Sequence, residues 1–216
     1  MKKLILFDMD GTLLDSVPSI AACCNRALEQ NGLPVHPPAA YNGMVGWGVR
    51  RLITLACPPD AAPALREQVL SSYNKIYLEE CRRPGRIYPG LAELLRELRE
   101  MGILTAVISN KPEAQATALF HSTFEGLLDA VWGQREGFPL KPDPTLAREL
   151  THLLDAGLIA YVGDSAVDLE LGKNLGVPTF AVTWGSRTRE ELSAAGGGTI
   201  TDTPEQLRSN LFALLK

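Results

Sequence analysis

Short apolar runs rich in Leu, Ile and Val recur along the chain at 4–7, 103–108, 130–132, 159–162 and 177–182. Each is short enough for a strand, and none alternates with polar residues, so each predicts a strand covered on both faces. Between the runs the period lengthens. Leu91, Leu94, Leu95, Leu98 and Met101 form one helical stripe that stops at Gly102, and Leu146, Leu150, Leu153 and Leu154 form another before Gly157. Leu207, Leu211, Leu214 and Leu215 close the chain on a third, with Thr203 as its cap and Pro204 as its first residue. Strand and helix therefore alternate, which predicts an α/β fold with a parallel sheet.

The alternation lapses between the first and second runs. Three helical patterns, 19–30, 49–57 and 63–81, follow one another there with no strand between them, and in the third Leu65, Val69, Tyr73, Ile76 and Tyr77 share a stripe. An all-helical insertion of this kind predicts a separate lobe, residues 16–85, set into a core formed by 1–15 and 86–216.

Composition narrows the classes. The 216 residues are 45% hydrophobic and 21% charged, an ordinary globular balance, and at this length about 70% of the unfolded surface can be buried. A net charge of -4 offers no basic footprint for nucleic acid or an anionic bilayer. No run of eighteen apolar residues exists, and the apolar start is cut short at Asp8, so a soluble protein of the cytoplasm is expected, as a monomer or homodimer. Cys23, Cys24, Cys57 and Cys81 lack metal-ligand spacing and are expected to be buried free thiols.

In open α/β sheets ligands gather at the carboxyl ends of the strands. Here those ends carry Asp8-Met9-Asp10-Gly11-Thr12, Ser109-Asn110-Lys111, and Gly163-Asp164-Ser165 with Asp168 one turn on, while Lys141-Pro142 precedes a helix. Asp8 and Asp10 are two apart, so in extended backbone their carboxylates leave the same face, and Gly11 allows the chain to turn away. Asp164 can approach the same point. Converging carboxylates call for a proton or a cation, and an all-oxygen donor set predicts Mg²⁺ rather than zinc. With a carboxylate able to take up a phosphoryl group, Asp8 is the expected nucleophile and Asp10 the acid and base. Ser109, Asn110 and Lys141 are expected to surround the transferring phosphoryl, with Gly11 and Thr12 in the phosphate-binding loop.

Asp8-Met9-Asp10-Gly11-Thr12-Leu13, Ser109-Asn110-Lys111, Lys141-Pro142 and Gly163-Asp164-Ser165 with Asp168, in this order, resemble the four sequence motifs of the haloacid dehalogenase-like hydrolases. Tyr88-Pro89-Gly90, Thr183-Trp184-Gly185 and the segment from Thr201 to Leu207 are similar to the phosphoglycolate phosphatase-like branch. The resemblance implies a Rossmann-like core with an inserted helical cap and a Mg²⁺-dependent aspartyl-phosphate mechanism. It implies Asp8 as nucleophile, and Asp10 as acid/base and as a metal ligand through its backbone carbonyl. Ser109 and Lys141 would hold the phosphoryl, Asp164 the metal, and Asp168 would support it.

An acidic residue at Asp10 speaks against the family's dehalogenases and phosphonatases. The stretch 17–22 has no histidine of the kind its sugar-phosphate mutases carry in the cap. A phosphatase for a small phosphorylated metabolite is therefore expected, with phosphoglycolate as the leading substrate. A mutase, a broad sugar-phosphate, nucleotide or pyrophosphate hydrolase, and a non-catalytic phosphoryl-accepting module are the alternatives. Arg50 is the cap residue expected to reach a substrate carboxylate, with Arg51 beside it on another helix face. Trp47 is expected either to line the pocket or to anchor a loop, and Lys111 to be a solvated surface charge.

Overall fold

The computed structural model describes residues 2–80 and 85–216. Six parallel strands form the main sheet in the order β5 (Ala130–Gln134), β4 (Leu104–Pro112), β1 (Lys2–Phe7), β6 (Ala156–Gly163), β7 (Thr179–Val182) and β8 (Thr199–Thr201). The alternation within β1 explains its place at the centre. Ile5 and Phe7 belong to one buried cluster and Leu4 and Leu6 to another, so both faces of the strand are covered. Helices α4 (Leu91–Glu100) and α9 (Pro204–Leu215) pack their leucines into the first cluster, and α6 (Thr145–Leu153) and α7 (Ala166–Leu175) contribute to the second. Thr203 caps α9 as expected, accepting from the Gln206 amide at 3.2 Å.

From β1 the chain passes outward through β4 to β5, then crosses back to β6 and continues outward on the other side. This change of direction opens a crevice at the carboxyl ends of β4, β1 and β6. The expected strand at 103–108 runs four residues further, so Ser109, Asn110 and Lys111 lie within the extended backbone of β4 and not in a loop beyond it. Two elements have no counterpart in the apolar pattern: β8, and a two-stranded antiparallel ribbon of β2 (Leu14–Asp15) and β3 (Arg86–Ile87). At two or three residues each, they are too short to produce a period.

Between the two ribbon strands lies the helical insertion: α1 (Val17–Gln30), a 3-10 turn (Pro38–Gly43), α2 (Val49–Ala56) and α3 (Pro63–Glu80). Val69, Tyr73, Ile76 and Tyr77 are buried along α3, as the stripe requires. These residues join the buried cluster that includes Phe7 and Met9, so the cap rests directly on the carboxyl-end crevice. Cys23, Cys24 and Cys57 are buried and form no disulfide among the described residues; Cys81 lies outside them. No helix among the described residues is long and apolar enough to cross a membrane.

Candidate active site

β1 delivers Asp8 to the crevice, and the chain turns immediately. Gly11 has φ +80°, a left-handed conformation, and a Cβ on it would overlap the Asp164 carboxylate. Glycine is needed there twice over, for the turn and for the approach of the β6 loop. Gly163 at the end of β6 is equally confined, because a Cβ would strike the Asp168 side chain.

These turns bring together Asp8, Asp164 and Asp168, all buried, each offering a carboxylate oxygen within 4.8 Å of the others. Lys141 enters from the segment before α6. Its Nζ lies 2.7 Å from Asp8 Oδ1 and 2.8 Å from Asp168 Oδ1, with only 3% of the side chain exposed. Asp168 is the anchor of this arrangement. Its Oδ1 accepts from Lys141 and from the Tyr161 hydroxyl at 2.9 Å, and its Oδ2 accepts from the Ser165 hydroxyl at 2.6 Å and amide at 3.1 Å. Both oxygens are thus engaged with protein donors. Asp164 is held by Thr12 Oγ1 on Oδ1 at 3.2 Å, and by the Ser186 amide and hydroxyl on Oδ2, both at 2.7 Å.

Charge is unbalanced here. Burial, aided by Asp168 and Asp164, lifts the Asp8 carboxyl to about 8 against the opposing pull of Lys141. Burial and Asp168 lift Asp164 to about 6 despite its Ser186 donors. Burial works to lower Lys141, but Asp168 and Asp8 outweigh it and keep the ammonium charged. Asp8 Oδ1 has the ion pair with Lys141 but no aligned hydrogen bond. Three clustered carboxylates beside the Lys141 ammonium, oxygen donors only, fit a divalent cation.

Asp10 faces elsewhere. Its Oδ1 accepts from Ser16 Oγ at 2.6 Å and its Oδ2 pairs with Lys111 Nζ at 2.9 Å, so its side chain stands outside the three-carboxylate group expected to include it. Asp10 and Asp8 nevertheless line one cleft with Ser109, Asn110 and Asp164. Asn110 ties the cleft together: its Oδ1 accepts from the Lys141 amide at 2.8 Å, and its Nδ2 donates to the Gly46 carbonyl of the cap at 3.0 Å. The cap's own contribution to the walls is mainly apolar, from Ile20, Val45, Val49, Leu52 and Tyr73.

Two further expectations are corrected by this geometry. Lys111 is no surface charge: 3% of its side chain is exposed, and besides Asp10 it meets the Tyr77 hydroxyl of α3 at 3.0 Å. Arg50 does not line the cleft; its side chain is 70% exposed and pairs with Glu67 on the outer face of the cap. The inward positions of α2 are Leu52, Ile53 and Ala56, and that stripe turns Arg50 to solvent. Of the two readings of Trp47, the pocket-lining one is not met: its ring lies under the Arg51 guanidinium at 5.1 Å, while the flanking Gly46 and Gly48 line the cleft. Sequence reasoning missed Tyr161, Ser186 and Gln115. Ser186 sits next to the Thr183-Trp184-Gly185 segment, which was the available signal for it.

Comparison with known proteins agrees with this arrangement. Residues 5–182 match the family described as haloacid dehalogenase-like hydrolase. The phosphoglycolate phosphatase of Vibrio cholerae is 32% identical over 211 residues, covering 93% of this chain and 92% of that protein. The N-acetylmuramic acid 6-phosphate phosphatase of Pseudomonas putida is 28% identical over 218 residues, covering 99% and 97%. A crystal structure of a candidate phosphoglycolate phosphatase from Lactobacillus delbrueckii superposes with a TM-score of 0.90 at 28% identity, covering 98% of this chain and 99% of that one. The chain belongs to the haloacid dehalogenase-like hydrolases, within their phosphoglycolate phosphatase-like branch.

Proposed function

We propose that this phosphoric monoester hydrolase is a Mg²⁺-dependent phosphatase of small metabolites that works through an aspartyl-phosphate on Asp8. The observation that carries the reading is the Asp8 carboxylate at the end of β1, paired with Lys141 and grouped with Asp164 and Asp168 at the base of a capped cleft. Asp8 and Asp164 would hold the metal, with the Asp10 backbone carbonyl; Asp168, fully engaged by its donors, holds Lys141 in place instead. A bound Mg²⁺ supplies positive charge that neutralises the phosphate oxygens.

An Asp8 carboxylate oxygen attacks phosphorus, a new O–P bond forms, and the bond to the leaving oxygen breaks. Asp10 gives its proton to that oxygen, releasing the alcohol. Asp10 then takes a proton from water as the water attacks the same phosphorus, and the bond to Asp8 breaks, leaving orthophosphate and the free carboxylate. The hydroxyl of Ser109, the Asn110 region and the Lys141 ammonium offset charge on the transferring group, the dominant contribution in this chemistry. The cap of residues 16–85, set on the core of 1–15 and 86–216, excludes water while the phosphoryl moves.

Likeness to the named relatives makes phosphoglycolate the leading substrate. One observation in the cleft, the free acceptor of Gln115, favours a hydroxylated ester as a second reading. Purified protein with Mg²⁺ should release phosphate from an aryl phosphate, and Asp8→Asn should abolish that release while the circular dichroism spectrum is retained. Full activity in the folded variant would overturn the mechanism.

A further inference from the structure

Gln115, in the first turn of α5 (Glu113–Leu119), is 2% exposed and lines the cleft with Asp10, Lys111 and Tyr73. Its Nε2 donates to Asn74 Oδ1 of cap helix α3 at 3.0 Å. Its Oε1 is buried and receives no hydrogen bond. A side chain serving only to latch cap to core has done its work with the first bond. The second end is an acceptor withdrawn from water and fixed in direction by Asn74, a costly arrangement unless something that enters the cleft supplies a donor.

We infer that Gln115 is a specificity-determining residue whose Oε1 accepts a hydrogen bond from a hydroxyl or N–H on the leaving group of the substrate. The inference rests on the phosphatase reading and deepens it. A carboxamide oxygen rewards a leaving group that brings a donor, so it favours phosphate esters of polyols, sugars or amino sugars over plain alkyl esters. Lys111 and Lys141 already bear on Asp10 and on the Asp8 pair, which leaves leaving-group discrimination to the neutral lining. Asn74 is a positioning residue: by taking the Nε2 donor it leaves Oε1 as the unbonded end of the amide.

The test is a ratio. kcat/KM is measured for glycerol 3-phosphate and for propyl phosphate, which differ by the two hydroxyls, in wild type, Gln115→Met and Asn74→Ala. The ratio of the two is expected to fall about tenfold in Gln115→Met, the effect of one neutral hydrogen bond, and by a smaller factor in Asn74→Ala. Equal loss on both esters would show a purely structural role and overturn the proposal, as would an unchanged ratio. A ratio that rises would mean that the amide presents its NH₂ end, which also overturns it. Should Gln115→Met fail to fold, Asn74→Ala carries the same comparison. If wild type hydrolyses neither these esters nor an aryl phosphate, the phosphatase reading itself has failed; if it hydrolyses the aryl phosphate without preferring the hydroxylated ester, only this inference has.

Discussion

Lys111 and Asp10 form an ion pair of 2.9 Å at the junction of the two lobes, with the lysine also reaching the Tyr77 hydroxyl of the cap at 3.0 Å. The proton-handling carboxylate is thus held on one oxygen by Ser16, where the chain enters the cap, and on the other by a core lysine that the cap touches. Lys111→Met removes that restraint with little change in volume. kcat on an aryl phosphate is expected to fall about 10²-fold, the usual cost of misplacing a reacting group by about 1 Å. A kcat within twofold of wild type in a folded variant would show that Asp10 needs no such tether.

Asp8 makes the metal-free fold sensitive to pH. Its carboxyl lies at about 8 in the folded chain against 3.8 in the reference state. Between those values the folded state retains a proton that the unfolded state has released, so stability is full below about 4 and declines as pH rises towards 8. Asp8→Asn cannot ionise and escapes the decline. In EDTA, the Tm of Asp8→Asn minus that of wild type should widen from pH 4 to pH 8; a constant difference would contradict the burial account.

Mg²⁺ should reverse that decline by balancing the carboxylates. A cation at about 100 times its Kd adds ~2.7 kcal/mol to the stability of a protein that binds it only when folded. The Tm of wild type should therefore rise with Mg²⁺ and fall back with EDTA. Asp164→Asn keeps an acceptor oxygen for Ser186 and turns its NH₂ to the Thr12 hydroxyl, which can accept, yet removes a charge, and should lose most of the metal-dependent rise. An undiminished rise in that variant would place the cation elsewhere.

Arg50 offers the contrasting case. Its pair with Glu67 is exposed on both sides, and exposed pairs contribute about 0–1 kcal/mol. Arg50→Ala should leave kcat/KM for phosphoglycolate within about twofold and shift Tm by no more than a few degrees. A tenfold rise in KM would return Arg50 to the substrate.

Much of this architecture was legible in the residues, and the failures have physical causes. Strands β1, β4, β5, β6 and β7 announce themselves because burial on both faces demands unbroken apolar runs. The ribbon and β8 are too short to do so, and Thr199-Ile200-Thr201 is polar as well. The motif residues are visible because they cluster at strand ends in a fixed order. Lys111 was misjudged because lysines are rarely buried, and what buries this one, Asp10 and Tyr77, is distant in sequence. Arg50 was a different failure: the stripe through Leu52, Ile53 and Ala56 already turned it outward. Gln115 left no pattern at all, since its meaning lies in one oxygen without a donor.

The ribbon of β2 and β3 has a mechanical consequence. The chain enters the cap through Leu14–Asp15, four residues past Asp10, and Arg86–Ile87 pairs alongside that entry strand. A swing of the cap about this strap would separate Tyr77 from Lys111, Gly46 from Asn110, Val45 from Arg187 and Asn74 from Gln115 in a single movement. Opening for an ester at this strap would therefore undo four contacts between insertion and core at once, and closing would restore them together.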